Sequence, residues 1–251
     1  MQAKLRFVVC LAVLALILCL QAAGQDALQL LHKMQQALGG TAKLAGIQDF
    51  EQSARAETWD NDGKLHGIVR KRTRWVRPNI LRLDQVGPDD TYVLYINGQA
   101  GWEILPDQTI ADLEGGELKF AEKYLRDFNL HLWLADRDPI YVIESPAPNV
   151  LAISVKGDSS SKLEITLDPV SFLPVKQTAV SLADPDNPVA SETRFDQWAA
   201  FGGVMFAQRI TIAQGGKKAA DITVEQTKVN GGLKPEELSR KPSDLKPVMA
   251  R

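Results

Sequence analysis

Between Thr91 and Leu113 the chain reads TYVLYINGQAGWEILPDQTIADL. An apolar run reaches Asn97-Gly98, reverses, and resumes from Trp102 to Leu105 before Pro106-Asp107 turns it again. Asn-Gly favours the two positive-φ positions of a type I′ hairpin, so antiparallel neighbours are expected here. The first strand is apolar on both faces, with Tyr92, Leu94 and Ile96 on one and Val93 and Tyr95 on the other. A sheet with one solvated face would alternate instead. Each side of this strand therefore needs a cover, and a bound apolar ligand is one candidate.

The same period of two recurs along the chain. Phe50 to Trp59 and Lys64 to Val76 read as a hairpin across Asn61-Asp62-Gly63, followed by a strand through Ile80, Leu81 and Leu83. After Pro139 come Leu151 to Val155, Leu163 to Leu167, Leu173 to Leu182, Ser191 to Ala199, Val204 to Ala213 and a strand around Ile222 and Val224. Helical spacing appears twice. Leu28, Leu31, Met34 (or Gln35) and Leu38 form a stripe that Asp26 can cap and Gly39-Gly40 can stop. Leu118, Ala121, Leu125, Phe128 and Leu132 form another, widened by Trp133 and Leu134 into a segment apolar nearly all round. Such a segment is buried or rests over an apolar opening. Ten or eleven strands in meander order with two helical stretches make an α+β fold built on a large antiparallel sheet. A sheet that wide curls or closes.

The N-terminus points to export. Lys4 and Arg6 precede an apolar run from Phe7 to Leu20, and Ala22-Ala23-Gly24 offers small residues for cleavage, so residues 1–24 read as a signal peptide. An uncleaved anchor is the alternative. Lipidation at Cys19 is set aside because Leu18 stands where a small residue is needed. Cys10 and Cys19 are the only cysteines, so the exported chain, 25–251, has no thiol, disulfide or Cys metal ligand. Loss of Lys4 and Arg6 moves the net charge from −2 to −4, which argues against a general nucleic-acid binder. No linker divides residues 25–232, which read as one domain, and the Pro- and Lys-rich tail 233–251 is expected to be frayed or extended.

No constellation of catalytic residues stands out. His32, His66 and His131 share no ligand spacing, so neither a metal nor another cofactor is expected. Gly-x-Ser-x-Gly and phosphate-binding glycine loops are missing, and the Gly-Gly pairs read as turns and caps, so the expectation is not an enzyme. The sharpest polar feature is Arg70-Lys71-Arg72-Thr73-Arg74-Trp75-Val76-Arg77. On a strand Arg70, Arg72 and Arg74 share one face while Lys71, Thr73 and Trp75 share the other. The arginine face is either a solvated, edge-protecting surface or a docking patch for an acidic partner or anionic lipid heads.

At Trp75-Val76-Arg77-Pro78-Asn79-Ile80-Leu81 the sequence resembles the periplasmic outer-membrane lipoprotein carriers, the LolA-like superfamily. The Asn-Gly turn with Trp102 after it, and Asp168-Pro169 to Leu173-Pro174, fit the same pattern. The resemblance implies an incomplete β-barrel over residues 25–232 whose concave face is apolar and is closed by helices acting as a lid. It implies a monomeric periplasmic carrier of lipid or lipoprotein acyl chains, with inner- and outer-membrane transport proteins as partners. In the carriers the Arg of Arg-Pro hydrogen-bonds to the lid and holds the empty form closed, a role that would fall to Arg77. The expected lining is Trp75, Leu81, Leu83, Tyr92, Leu94, Ile96, Trp102, Ile104, Phe128, Leu132 and Trp133. The alternative is an envelope sensor or interaction module of the same fold, its cavity filled by its own side chains and Arg70, Arg72 and Arg74 serving as the docking surface.

Overall fold

The structure is a computed structural model and describes residues 27–60, 62–88, 91–181, 189–243 and 246–247. The expected leader and the Asp26 cap lie outside the described residues.

Thirteen strands form a single antiparallel sheet: β1 (Asp49–Trp59), β2 (Leu65–Val76), β3 (Ile80–Val86), β4 (Thr91–Asn97), β5 (Ala100–Ile104), β6 (Thr109–Asp112), β7 (Tyr141–Ala147), β8 (Val150–Val155), β9 (Asp158–Leu167), β10 (Pro174–Ser181), β11 (Val189–Phe201), β12 (Val204–Gln214) and β13 (Lys217–Val229). A two-residue β14 (Lys246–Pro247) pairs parallel with β6. The order is β14-β6-β5-β4-β3-β2-β1-β13-β12-β11-β10-β9-β8-β7. Every antiparallel pair joins sequence neighbours except β1 with β13, which stitches two meanders together at the centre. The terminal strands β14 and β7 are not paired to each other, so the sheet is open.

This is more sheet than the expected α+β fold of ten or eleven strands. The additions are β7 at one edge, the short β14 at the other, and β6 beside β14. β7 pairs on one side only and β6 meets β14 over just two residues, which relaxes the apolar alternation that advertises a strand. β6 has four residues and β7 carries Pro146, which an edge tolerates and a central strand does not. The Asn97-Gly98 hairpin also differs in detail. Asn97 pairs with Ala100 and ends β4, leaving Gly98-Gln99 as the loop. Gly98 has φ +62°, whereas Asn97 and Gln99 do not adopt positive φ, which is the type II′ pattern of glycine at the first loop position.

The chain from β6 to β7 must travel from one edge of the sheet to the other. It does so through α3 (Gly115–Arg126), α4 (Asn129–Leu132) and a 3₁₀ turn (Ala135–Arg137), all following the first two helices, α1 (residues 27–37) and α2 (Thr41–Ala45), in sequence. The expected long middle helix is broken at Phe128, whose backbone is extended (ψ 134°). Buried residues of these helices, among them Leu31, Met34, Leu125 and Leu132, form one core with Trp75, Leu81, Leu94, Leu151 and Ile165 from the sheet. Since β4 and β8 lie far apart in strand order, a common core requires the sheet to curl around the helices. Gly39 (φ +121°) lets α1 end against the sheet, because a Cβ there would collide with the Gly203 carbonyl.

A second core lies on the outer face. Tyr95 pairs with Trp102 and Val93 with Ile104, and these four join Val76 and Ile80 beneath the fully buried Leu238 of α5 (Pro235–Ser239). That explains the two-faced apolar β4. Its inner residues meet the helical core, and its outer residues meet the C-terminal segment. Residues 235–239 are accordingly helical and docked where a frayed tail was expected. Arg82 fixes the helix by donating to the carbonyls of Leu238 and Arg240, both at 3.2 Å.

Candidate functional site

The inner face is not filled everywhere. Beneath α3 and α4, and against β1, β2 and β9 to β13, lies a half-enclosed cavity of about 320 Å³ with a mainly apolar wall. Phe50, Phe128, Trp133, Leu163, Phe206 and Ile222 supply much of that wall. Phe50 stacks on Phe206 with centroids 5.0 Å apart, and Trp133 lies 5.8 Å from Phe206. Phe128 faces Phe50 edge-on at 6.1 Å, so the helix break aims its ring toward the sheet. Gln197 has φ +55° and drops out of the β11–β12 ladder while the register is kept on both sides. Phe195 and Trp198, which strict alternation would send to opposite faces, both line the cavity as a result.

Of the residues expected to line such a cavity, Phe128 and Trp133 do so. Leu81, Leu83, Leu94, Ile96 and Leu132 sit in solid core, each no more than 5% exposed, while the equally buried Trp75 borders a different, more open pocket with Arg77, Leu130 and His131. Tyr92 is half-buried against the same core, and burial followed by the neighbouring Glu103 raises its phenol pKa. Trp102 and Ile104 lie across the sheet under α5, where the hairpin register sends them.

The middle helices are held down by polar contacts. Gln35, fully buried on α1, donates to the Trp133 carbonyl (2.9 Å) and to Asp136 Oδ1 (2.8 Å) and accepts from the Thr41 hydroxyl. Trp75 Nε1 donates to His131 Nε2 at 3.2 Å, joining β2 to α4. Burial, then the nearby Arg77, lowers the His131 pKa, which keeps the imidazole neutral and able to accept. Arg77 reaches a different element. Its Nε donates to the Ile47 carbonyl (2.8 Å) just after α2, and its guanidinium stacks over Trp75.

Arg70, Arg72 and Arg74 share the outer face, as the strand period requires. Arg72 pairs with Glu51 at 2.8 Å, and Arg74 and Arg82 both pair with Asp84. Arg70 has no ion pair among the described residues. With Arg240 and Lys241 these groups rim an open cleft on the sheet's outer side.

Lys71 behaves differently. Alternation turns it inward with Thr73 and Trp75, and it lines the cavity opposite Ala54 of β1. Burial lowers its pKa below the ordinary lysine value, while the empty space beside it leaves the side chain half-exposed. No described residue pairs with it. The sequence does signal this position, since a lysine sharing a strand face with a core tryptophan is out of place. Gln52, Phe195, Trp198 and Phe206 carry no comparable mark, because their places in the wall depend on pairing between distant segments.

No family model matches the chain, and no curated protein matches it. Solved structures do. A DUF1329 family protein from Desulfovibrio piger is 13% identical with TM-score 0.59, over 86% of this chain and 97% of its own. A LolA superfamily protein from Nitrosomonas europaea is 15% identical with TM-score 0.56, over 83% and 97%. The chain has the LolA-like fold. A domain from Vibrio parahaemolyticus described as outer membrane lipoprotein-sorting agrees, at 12% identity and TM-score 0.54 over 83% and 95%. At these identities the likeness concerns the LolA-like fold alone. In this version of it, the contact between Arg77 and the segment after α2 stands where the resemblance would have a contact to the lid.

Proposed function

We propose that this protein is a non-enzymatic carrier that shelters an acyl chain in the cavity beneath α3 and α4 while the chain crosses the periplasm. The observation that carries this reading is the half-enclosed apolar space of about 320 Å³ inside a LolA-like fold. At about 30 Å³ per methylene, close to the volume share of a water, the space holds on the order of ten methylenes. Burying them contributes about 8 kcal/mol at about 0.8 kcal/mol each. That suits one hydrocarbon chain of modest length, and longer or multiple chains would require α3 and α4 to lift. Delivery would involve partners in the inner and outer membranes. Native mass spectrometry of protein taken from its own envelope should find a bound lipid, and a fluorescent fatty acid should be taken up with saturable affinity. A protein that carries no lipid and takes up no probe refutes the carrier reading.

The outer cleft supports a second reading, an interaction module that docks an acidic partner. Among the described residues Arg70 and Arg240 of this cleft have no ion pair, whereas Arg72 and Arg74 are engaged by Glu51 and Asp84. Arg70→Glu should then weaken capture of an acidic peptide at low salt, and unchanged capture would dismiss the cleft.

A further inference from the structure

We propose that Lys71 is the counter-ion for the anionic head of a single-chain lipid whose tail occupies the cavity. This rests on the carrier reading and adds the chemical class of its cargo. Along the inner face of β2, Lys71 stands between Val69 and Thr73. Ala54 is its partner on β1, and Ala54, Val69, Ile210, Ile222 and Val224 form an apolar cluster beside it. A methionine or leucine would fill this place more favourably, because an ammonium taken from water without a partner is unfavourable.

No described acid compensates it. Asp127 also lines the cavity but is bound to Lys123 one turn back on the chain. A second donor points the same way, since Trp198 lines the cavity and its Nε1–H is buried with no hydrogen-bond partner. One buried donor without a partner, a partly exposed ammonium with no pair among the described residues, and no free acceptor of full charge describe a wall that lacks an anionic oxygen. A carboxylate or phosphate head would supply it through a charge-assisted hydrogen bond in a poorly hydrated site. Arg70 and Arg72, one residue to either side, face the outer surface and cannot serve the same head.

The test uses the full chain and three ligands with the same tail: decanoate, decyl phosphate and decanol, measured by titration calorimetry. Wild type should bind at least one of the anions about ten- to a hundredfold more tightly than the alcohol, the range expected of a hydrogen bond to a charged group. Lys71→Met should erase that preference while keeping affinity for decanol, and Lys71→Arg should retain it. A preference for only one anion supports the proposal and identifies the head as carboxylate or phosphate. Equal affinity for anion and alcohol in wild type, or an undiminished preference in Lys71→Met, overturns the counter-ion role and leaves the carrier reading intact. Failure of all three to bind overturns the carrier reading, and the counter-ion with it.

Discussion

The β3–β5 quarter of the sheet and the β10–β13 wall use the same strand geometry to different ends. In the first, both faces are covered by the chain itself. Leu81, Leu83, Leu94 and Ile96 meet helical core inside, while Val93, Tyr95, Trp102 and Ile104 meet α5 outside. In the second, the outer face carries Arg194, Asp196 and Arg209 to solvent, and the inner face holds Phe195, Trp198, Ile210 and Ile212, only half-buried around empty space. The difference lies in what the inner rows can pack against. Where Leu81, Leu83, Leu94 and Ile96 make an unbroken apolar block, with Gln85 and Glu103 beside it on the same face, the helices settle flush. Where Gln52, Lys71, Thr73, Gln177 and Thr193 interrupt the apolar rows, they do not. Room for a ligand is therefore a local failure of packing, bordered by a quarter that packs fully.

The largest expected effect separates the two regions directly. Leu81→Ala deletes buried methyls from solid core and should cost about 2–5 kcal/mol of unfolding free energy. Phe195→Ala should cost less, because its ring is only half-buried, yet weaken uptake of a fluorescent fatty acid more than Leu81→Ala does. Denaturant unfolding and ligand titration on both variants check this. The reverse ranking would mean that the wall is structural core and the quarter is not. Next in size is a gain. Lys71→Met removes a partly desolvated cation with no pair among the described residues and should stabilise the empty protein by about 1–3 kcal/mol. Because the folded pKa lies below the unfolded one, the unfolded state binds more protons between the two values. Wild-type stability therefore rises with pH across that interval, and the advantage of methionine should shrink as pH approaches the ordinary lysine value of about 10.4. An advantage that does not change with pH would mean that the lysine charge is not what costs stability.

The regular hairpins and α1 were legible in the sequence because their signals are local: strict alternation, turn glycines, and the Leu31, Met34, Leu38 stripe. β6 and β7 were not, since β7 pairs on one side only and β6 is four residues long, which demands less of the sequence. Trp102 and Ile104 look like inner-face residues until the loop is counted as Gly98-Gln99 and the register places them opposite Tyr95 and Val93. The docking of α5 was hidden because only Leu238, helped by Leu233 before the helix, anchors a stretch otherwise rich in Lys, Glu and Pro. The apolar middle segment was readable as a cover, but its break at Phe128 was not. The cavity wall was the least legible part, being assembled from seven strands and two helices, and yet Lys71 already stood in the sequence on the same strand face as Trp75.

The comparison can be sharpened further at the cover. Gln35→Leu would strand the Trp133 carbonyl and Asp136, costing about 1–3 kcal/mol for lost buried partners. Because Trp133 forms part of the cavity wall, ligand should also dissociate faster, as stopped-flow displacement can measure. Lost stability with unaltered dissociation would show that α1 does not hold the cover.

The smallest effect concerns the bond between Trp75 and His131, which ties the solid region to the cover. His131 Nε2 accepts from the indole, so the bond exists only while that nitrogen is unprotonated. Burial depresses its pKa, and the unfolded chain binds the proton more readily than the folded one. The stability from this site is complete above the ordinary histidine value of about 6.5 and is lost as pH falls from there through the lower folded value. Replacing the ring in His131→Phe removes the titration and keeps most of the bulk. The unfolding free energy of wild type, followed through melting curves, should therefore fall relative to His131→Phe as pH drops from about 8 to about 5, by an amount on the order of 1 kcal/mol. Parallel melting curves over that range would mean that the imidazole does not couple α4 to β2, and that apolar packing alone keeps the cover in place.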